Sequence, residues 1–514
     1  MIPLTDKAYR WAIPVLALWL LLWVVLSWAG VQDDAFIHLR YADNLFHTHL
    51  ITYDGVHPNY GASSLLYVYL LAFLRAFFTS PNLPRVVSTC AHLLLVAGLA
   101  VLFLKSIPRD SLARLLGLIL LLIFVGPSAV RWLDDGMETG LSLCFVGVLC
   151  WATFRQSNRS TVTVPQYLAC VALGFFTVLL RTELILLCGL AFAILFWKRL
   201  FNSEEPSNPN RFFGALFTGS HLLLGGILAL IFIRLKMHVF LPDTAIAKSS
   251  GVADWSGTLS VSAKIMAGAL SFGVGVLLLW LLTVVLVWRA RSLSATTLFA
   301  NLAFPILFFL AASRGQQIQG ARYFVWALFF SLLWNILELS TPQLDHRSQV
   351  QSNTLAYCFL ALLLLALPFE SIKLYPMLRD RATLLRQFET DHFEILQGKR
   401  GVAFDIGYVG YFSRADICDL AGLVNGRDKA RLTSLERFAA CVTSHPDFIF
   451  SDLEGIGRAS HYLPIDDWQV CSQYDYRNVN QNDRHYLIVP RSTAPELCRR
   501  IANAAPSEIA PLFH

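Results

Sequence analysis

The sequence predicts a polytopic α-helical membrane protein that ends in a soluble α/β domain. Three observations carry this. Of 514 residues, 55% are hydrophobic and only 15% charged, against about 25% charged in a typical soluble chain. Apolar runs long enough to cross a hydrocarbon core of about 30 Å recur from Trp11 to Pro368. From Glu370 onward polar and charged residues are interspersed, and no later run is long enough to span a membrane. The domains expected are therefore residues 1–370 in the membrane, with a first outer loop at 30–84, and a soluble domain at 371–514. The net charge of +6 is spread along the chain. No basic cluster suggests a nucleic-acid surface.

Met1 to Gly30 starts basic and continues apolar, which reads as an uncleaved first span rather than a signal peptide. If every apolar segment crossed, the basic connector Lys105–Arg114 would lie outside, against the positive-inside tendency. Segment 62–79 is short and opens with the Gly-Ala-Ser-Ser of residues 61–64. Read as a re-entrant or interfacial helix, it leaves Lys7, Lys105, Arg155, Lys198, Arg289 and Arg347 on the cytoplasmic side. That gives about eleven spans, N-terminus in and C-terminus out. Five polar clusters then share the outer face: Asp33-Asp34, Asp134 to Glu138, Arg181 to Glu183, Leu241 to Lys248, and Arg314 to Arg322. Ionisable residues at membrane depth usually face a bundle interior or a wet cavity, so one outward-facing polar cavity is expected. Six cysteines lie in spans, while Cys418, Cys441, Cys471 and Cys498 lie in the soluble domain. Those four permit two disulfides in any of three connectivities.

Asp33-Asp34 opens the stretch DDAFIHLRYADNLF, in which Ile37, Tyr41 and Leu45 recur as one helix face requires. Three readings stand side by side. The pair is a helix cap with a dipole-favoured first-turn neighbour. It is a general base for an acceptor hydroxyl, each carboxylate raising the other's pKa. Or Asp34 and His38 hold a divalent metal ion. Glu138, Arg181 and Glu183 sit at, or just inside, the outer ends of spans, where Arg181 and Glu183 either pair with each other or with Asp135, or Arg181 holds an anionic substrate group while a carboxylate fixes its orientation. Lys248 and Arg322 either snorkel to the interface or stabilise a departing phosphate. His47, His49 and His57 fit no rigid helix face and read as solvated or packed. Trp132 and Tyr60 suit an interfacial belt or a sugar-stacking surface equally.

The order of the blocks DDAFIHLRYADNLF, GVHPNYGASSLL, DDGMETGLSL, RTE, LPDTAIAKSSG and GARYF resembles GT-C glycosyltransferases of the terminal β-arabinofuranosyltransferase kind. Known members act in cell-wall arabinan assembly. The resemblance covers most of residues 31–325, with His38 standing where Ser is common and Asp243 where Asn is. It implies an inverting transferase in a bacterial plasma membrane, with the C-terminal domain on the periplasmic side. The sugar, arabinofuranose by this resemblance, would pass from a polyprenyl-phosphate donor to a hydroxyl on a glycan, lipid-linked glycan or protein. Asp33 is then the first choice for the base, with Asp34 orienting the acceptor or binding a metal. Glu138, Arg181, Glu183, Asp243, Lys248 and Arg322 become substrate-binding residues. The segment GVAFDIGYVGYFSRADICDLAGLVN is similar to the outer domain of the same family, and VAFDI, DFIFS and HYLIVP read as its strands. The rival is a transporter or flippase of lipid-linked sugars, but the halves show no repeat and the charges gather at one membrane face.

Overall fold

The structure is a computed structural model that describes residues 6–26, 28, 30–108, 111–159, 162–201, 211–247, 275–290, 294–313, 325–340, 346–478, 481–503 and 505–509. After α1 (Asp6–Leu26), the loop expected to be the first outer one carries α2 (Asp33–Thr48) and α3 (Leu65–Arg75). Then come α4 (Leu83–Ser106), α5 (Leu112–Phe124), α6 (Pro127–Leu133), α7 (Thr139–Ser157), α8 (Val164–Leu180), α9 (Ile185–Phe201), α10 (Arg211–Gly219), α11 (His221–Met237) and α12 (Asp243–Ala247). The membrane part closes with α13 (Gly275–Arg289), α14 (Ala295–Ser313), α15 (Val325–Glu338) and α16 (His346–Thr390).

Among the described residues, Leu83–Ser106, Thr182–Phe201 and Val350–Thr390 are long and apolar enough to cross a membrane, and two bent pairs raise this to five. One is α5 with α6, bent by 65° where Gly126 and Pro127 interrupt the helix. The other is α10 with α11, bent by 55°. Six shorter apolar helices accompany them. Large apolar side chains such as Leu94, Phe176, Leu235 and Leu365 face outward, as a lipid solvent requires. Residues 263–274, within one expected span, lie outside the described residues. α3, within the expected interfacial segment, has 11 residues and reaches only about 16 Å at 1.5 Å per residue. That is half a bilayer core.

α16 runs 45 residues without a break, through Pro368 and Pro376, and carries the chain from the apolar helices into the C-terminal domain, the outer domain of the expected topology. The boundary expected at residue 370 falls inside it. Beyond it lie β1 (Arg400–Ala403), α17 (Gly407–Ser413), β2 (Asp416–Asp419), α18 (Arg427–Arg431), α19 (Ser434–Val442), β3 (Phe448–Ser451), α20 (Leu453–Ala459), β4 (Trp468–Asn478), β5 (Gln481–Pro490), α21 (Ala494–Ala502) and β6 (Ser507–Glu508). The strands form one mixed sheet in the order β2-β1-β3-β5-β4-β6. β1 pairs in parallel with β2 and β3, and the remaining pairs are antiparallel. Val402, Ile449 and Ile488 stand in one cross-strand row inside a buried apolar cluster. Disulfides join Cys418 of β2 to Cys441 of α19 and Cys471 of β4 to Cys498 of α21.

The outer domain does not have a core to itself. Val31, Phe36, Leu39 and Tyr53 of the first outer loop share one buried cluster with Tyr408, Phe450, Tyr474 and Leu487. The Phe36 ring lies against Tyr408, Tyr411 and Phe412, with centroids 4.7, 5.2 and 5.6 Å away. Loop and domain form one unit.

Candidate active site

α2 and α17 lie side by side and point the same way. Asp33 Oδ2 accepts from the Gly407 N–H and its Oδ1 from the Tyr408 N–H, both at 2.8 Å. Seven residues later, two helical turns along the same face, Arg40 reaches the other end. Its Nη1 donates to the Gly410 carbonyl at 2.5 Å, its Nη2 to the Ala415 carbonyl at 2.8 Å and its Nε to the Tyr53 carbonyl at 2.7 Å. A carboxylate therefore meets the N-terminal end of α17 and a guanidinium its C-terminal end, the polarity that helix peptide dipoles favour. Gly407 is required for this approach because a Cβ there would run into the Asp33 backbone. Gly410 is required because one would strike the Tyr53 hydroxyl. Asp43 completes the join, accepting from Arg75 of α3 at 2.5 Å and from Arg414 just beyond α17. Burial, then the nearby Asp405 and Asp34 charges, pushes the Asp33 carboxyl well above the usual range, while its two backbone N–H bonds pull it down. Asp405 in turn faces the buried His485, 3.0 Å away.

A second set of ionisable groups lies beside this join. Glu138, 1% exposed, closes the turn that leads into α7. Its Oε1 accepts from Arg181 Nη1 at 2.9 Å. Arg181 stands at the extended end of α8 and also holds Glu183, Nη2 to Oε1 at 2.6 Å. On the other side His38 Nε2 lies 3.9 Å from Glu138 Oε2, and its Nδ1 lies 3.2 Å from the Asp34 carbonyl. Tyr60, also buried, is within electrostatic reach of Glu183 and Asp243, and its carbonyl accepts the Asp243 N–H at 2.7 Å. Burial raises the Asp243 carboxyl, opposed by Arg427 of α18. His38, Glu138, Arg181 and Glu183 thus form a buried polar seam between α2, α7 and α8, and Tyr60 and Asp243, joined to each other through the backbone, lie within electrostatic reach of its Glu183 end.

ArnT from Cupriavidus metallidurans, solved bound to undecaprenyl phosphate, superposes on this chain with a TM-score of 0.53, over 94% of this chain and 98% of that one, at 12% identity. The fold is of the GT-C kind. The archaeal oligosaccharyltransferase AglB from Archaeoglobus fulgidus, solved with an inhibitory peptide and a dolichol-phosphate, matches at a TM-score of 0.49 and 12% identity, over 96% of this chain and 77% of that one. No protein-family model matches the sequence. No curated protein matches it either.

Within this GT-C fold the expected site residues divide. Asp33, Asp34, Glu138, Arg181, Glu183 and Asp243 come together around α2. Lys248 and Arg322 lie outside the described residues. Asp33 does not cap its own helix: Gln32 occupies that position and makes no side-chain capping bond to it, and Asp33 caps α17. Arg181 and Glu183 do pair, and the same arginine reaches Glu138. Among the described residues no three His, Cys, Asp or Glu side chains gather as metal ligands. His57 instead pairs with Asp54 at 2.8 Å, and His49 is the left-handed residue that ends α2. Tyr60 and Trp132 are 2% and 8% exposed, so both are packed rather than displayed. Sequence reading missed Arg40 and Asp43, although both belong to the DDAFIHLRYADNLF block. The signal was the spacing of seven between Asp33 and Arg40, which puts opposite charges on one face two turns apart.

Proposed function

We propose that this protein is a polyprenyl-phosphate-sugar-dependent glycosyltransferase acting at the outer face of a bacterial plasma membrane, with its C-terminal domain in the periplasm. The observation that carries the reading is the GT-C fold shared along nearly the whole of both chains with a protein solved bound to undecaprenyl phosphate. The polar seam around α2 supports the same reading, because it supplies buried carboxylates and an arginine where a lipid-linked sugar and a hydroxyl would meet.

The step needs one proton acceptor and one stabilised leaving group. The acceptor oxygen forms a bond to the anomeric carbon as the bond from that carbon to the phosphate oxygen breaks. The proton passes to a carboxylate, and the electron pair leaves with the polyprenyl phosphate. Attack opposite the leaving group inverts the anomeric centre, and holding both substrates in one cavity supplies the proximity term. Asp33 was the first choice for the base, but both its oxygens already accept backbone N–H bonds. The role moves to Asp34, with Asp33 fixing α2 against α17. Arg181, held from both sides by Glu138 and Glu183, orients an anionic or hydroxyl-rich group of the substrate together with Asp243. Lys248 and Arg322 are assigned to the departing phosphate, where preorganised positive charge lowers the barrier. Arabinofuranose remains the sugar suggested by the motif order.

The test is mass spectrometry of surface glycans and glycoproteins from a deletion strain carrying wild type, Asp34→Asn or Asp33→Asn at matched protein level. Wild type should restore one missing sugar residue, and its mass separates pentose from hexose. Asp34→Asn should lower transfer by about a hundred- to ten-thousand-fold, and Asp33→Asn should act chiefly on thermal stability. Full restoration by Asp34→Asn would remove the base assignment. A deletion that changes no glycan would favour the transporter or flippase reading instead.

A further inference from the structure

An outer-domain loop folded around two buried ionisable side chains borders the candidate site. Asp419, at the end of β2, is fully buried. Its Oδ1 accepts the Ala421 N–H at 2.8 Å, and its Oδ2 accepts those of Leu423 at 2.5 Å and Val424 at 3.3 Å. Arg437 of α19, also buried, works in the opposite sense. Its Nη1 donates to the carbonyls of Leu420 at 3.2 Å and Ala421 at 2.5 Å, its Nε to that of Lys429 at 3.0 Å and its Nη2 to that of Leu432 at 2.8 Å. A carboxylate thus gathers N–H groups of residues 421–424, and a guanidinium gathers carbonyls before, within and after α18. Hydrogen bonds with one charged partner are the strong ones, so this loop has one shape.

The loop presses on the first outer loop at Gly61. A Cβ there would come within 2.5 Å of the Leu423 carbonyl oxygen and 2.9 Å of the Val424 Cα, so the two backbones touch. From the other side Gly61 donates its N–H to the Tyr41 hydroxyl of α2 at 3.1 Å. The carbonyl of the preceding residue, Tyr60, accepts the Asp243 N–H at 2.7 Å, so a shift at Gly61 reaches the first residue of α12. A second route runs through α18, which follows the loop directly and packs on α12.

Asp243 belongs to the expected substrate-binding set, in which Asp419 has no part. We propose that Asp419 is a positioning residue for that edge of the site: by folding residues 420–425 against Gly61 and leading α18 onto α12, it fixes the backbone that carries Asp243. Its effect on transfer rests on the glycosyltransferase reading, whereas the coupling between the two backbones does not.

The experiment is hydrogen–deuterium exchange of the full-length protein in detergent, read by mass spectrometry on peptides containing residues 420–425, 59–62 and 243–247. Asp419→Ala leaves three N–H groups without their acceptor and should speed exchange in all three peptides at least about tenfold, with β3 at its wild-type rate. Asp419→Asn keeps one acceptor oxygen and should recover part of the protection. Gly61→Ala strains the same contact from the other side and should speed exchange at 243–247 as well. In the deletion strain, at matched protein level, Asp419→Ala and Gly61→Ala should each lower transfer about ten- to a hundred-fold, the cost of a small misplacement far from the chemistry. The double variant should lose little more than the worse single one, because both act through one contact. Arg499→Gln, on the surface of α21, should change neither readout. Faster exchange confined to 420–425, unchanged exchange in Asp419→Ala, or undiminished transfer by both variants would each overturn the proposal. If Asp419→Ala unfolds the outer domain, so that β3 also exchanges fast, Gly61→Ala decides, and wild-type exchange at 243–247 in that variant overturns it. Uncoupled exchange beside normal wild-type transfer would remove this proposal alone, and coupled exchange in a protein whose deletion changes no glycan would remove the transfer reading alone.

Discussion

Arg40 shows how one side chain can join two parts of a chain. Its guanidinium lies over the Tyr53 ring, 4.2 Å from the centre, and donates to carbonyls of Tyr53, Gly410 and Ala415. A neutral side chain of similar length would leave those buried acceptors without a donor. Arg40→Met should therefore cost on the order of 3 kcal/mol, since charged hydrogen bonds each contribute about 1.5–3 kcal/mol and not all are lost independently. Chemical denaturation in detergent, followed by Trp fluorescence, measures this; a loss below about 1 kcal/mol would mean that the apolar contacts alone hold α17. The candidate site was legible in part because charge in an apolar chain is conspicuous: Glu138, Arg181 and Glu183 stand out by composition alone. What each carboxylate does was not legible. Whether Asp33 faces a substrate or the ends of two N–H bonds depends on a helix more than 370 residues away in sequence, and no local pattern encodes that partner.

α17 is the element on which the outer domain turns. Its seven residues span about 10 Å, the same length as the two turns of α2 between Asp33 and Arg40. Gly410→Ala should push the Tyr53 hydroxyl aside and lower the Tm by several degrees, about what a loss of 1–2 kcal/mol produces in a domain of this size. Differential scanning fluorimetry tests it, and an unchanged Tm would show that α17 can shift without penalty. The disulfides act farther out. Cys418–Cys441 closes a separation of 23 residues, so Cys418→Ser with Cys441→Ser should destabilise the outer domain by about 3 kcal/mol. That is readable as increased proteolysis of β2 and α19. At this scale the sequence was informative about strands, since VAFDI, DFIFS and HYLIVP overlap β1, β3 and β5. It was less so about helices that continue: α16 runs on well past the end of its long apolar stretch, and a change in composition is not a change in backbone.

For the whole molecule, the GT-C fold places a buried polar seam between membrane helices and an outer domain that shares its core with the first outer loop. Removing residues 391–514 should therefore do more than delete a domain. Phe36, Leu39 and Tyr53 would lose their apolar partners, and limited proteolysis should cut the truncated chain within residues 50–60, where the intact protein is protected. A loop that stays resistant would show that α3 and α4 suffice to fold it. The fold class was readable from hydropathy because lipid imposes its demand on every spanning residue. The shared core was not, because a pattern of apolar spacing names a buried face without naming what covers it.

This arrangement also sets a schedule for synthesis. Tyr53 donates to the carbonyl of Ile406, 353 residues farther along. At roughly 5–20 residues per second, the first loop leaves the ribosome some 20–70 s before its partner exists. Throughout that interval Phe36 and Tyr53 have no lid. The loop must wait unfinished, and whatever shields it from aggregation meanwhile must let go when α17 arrives.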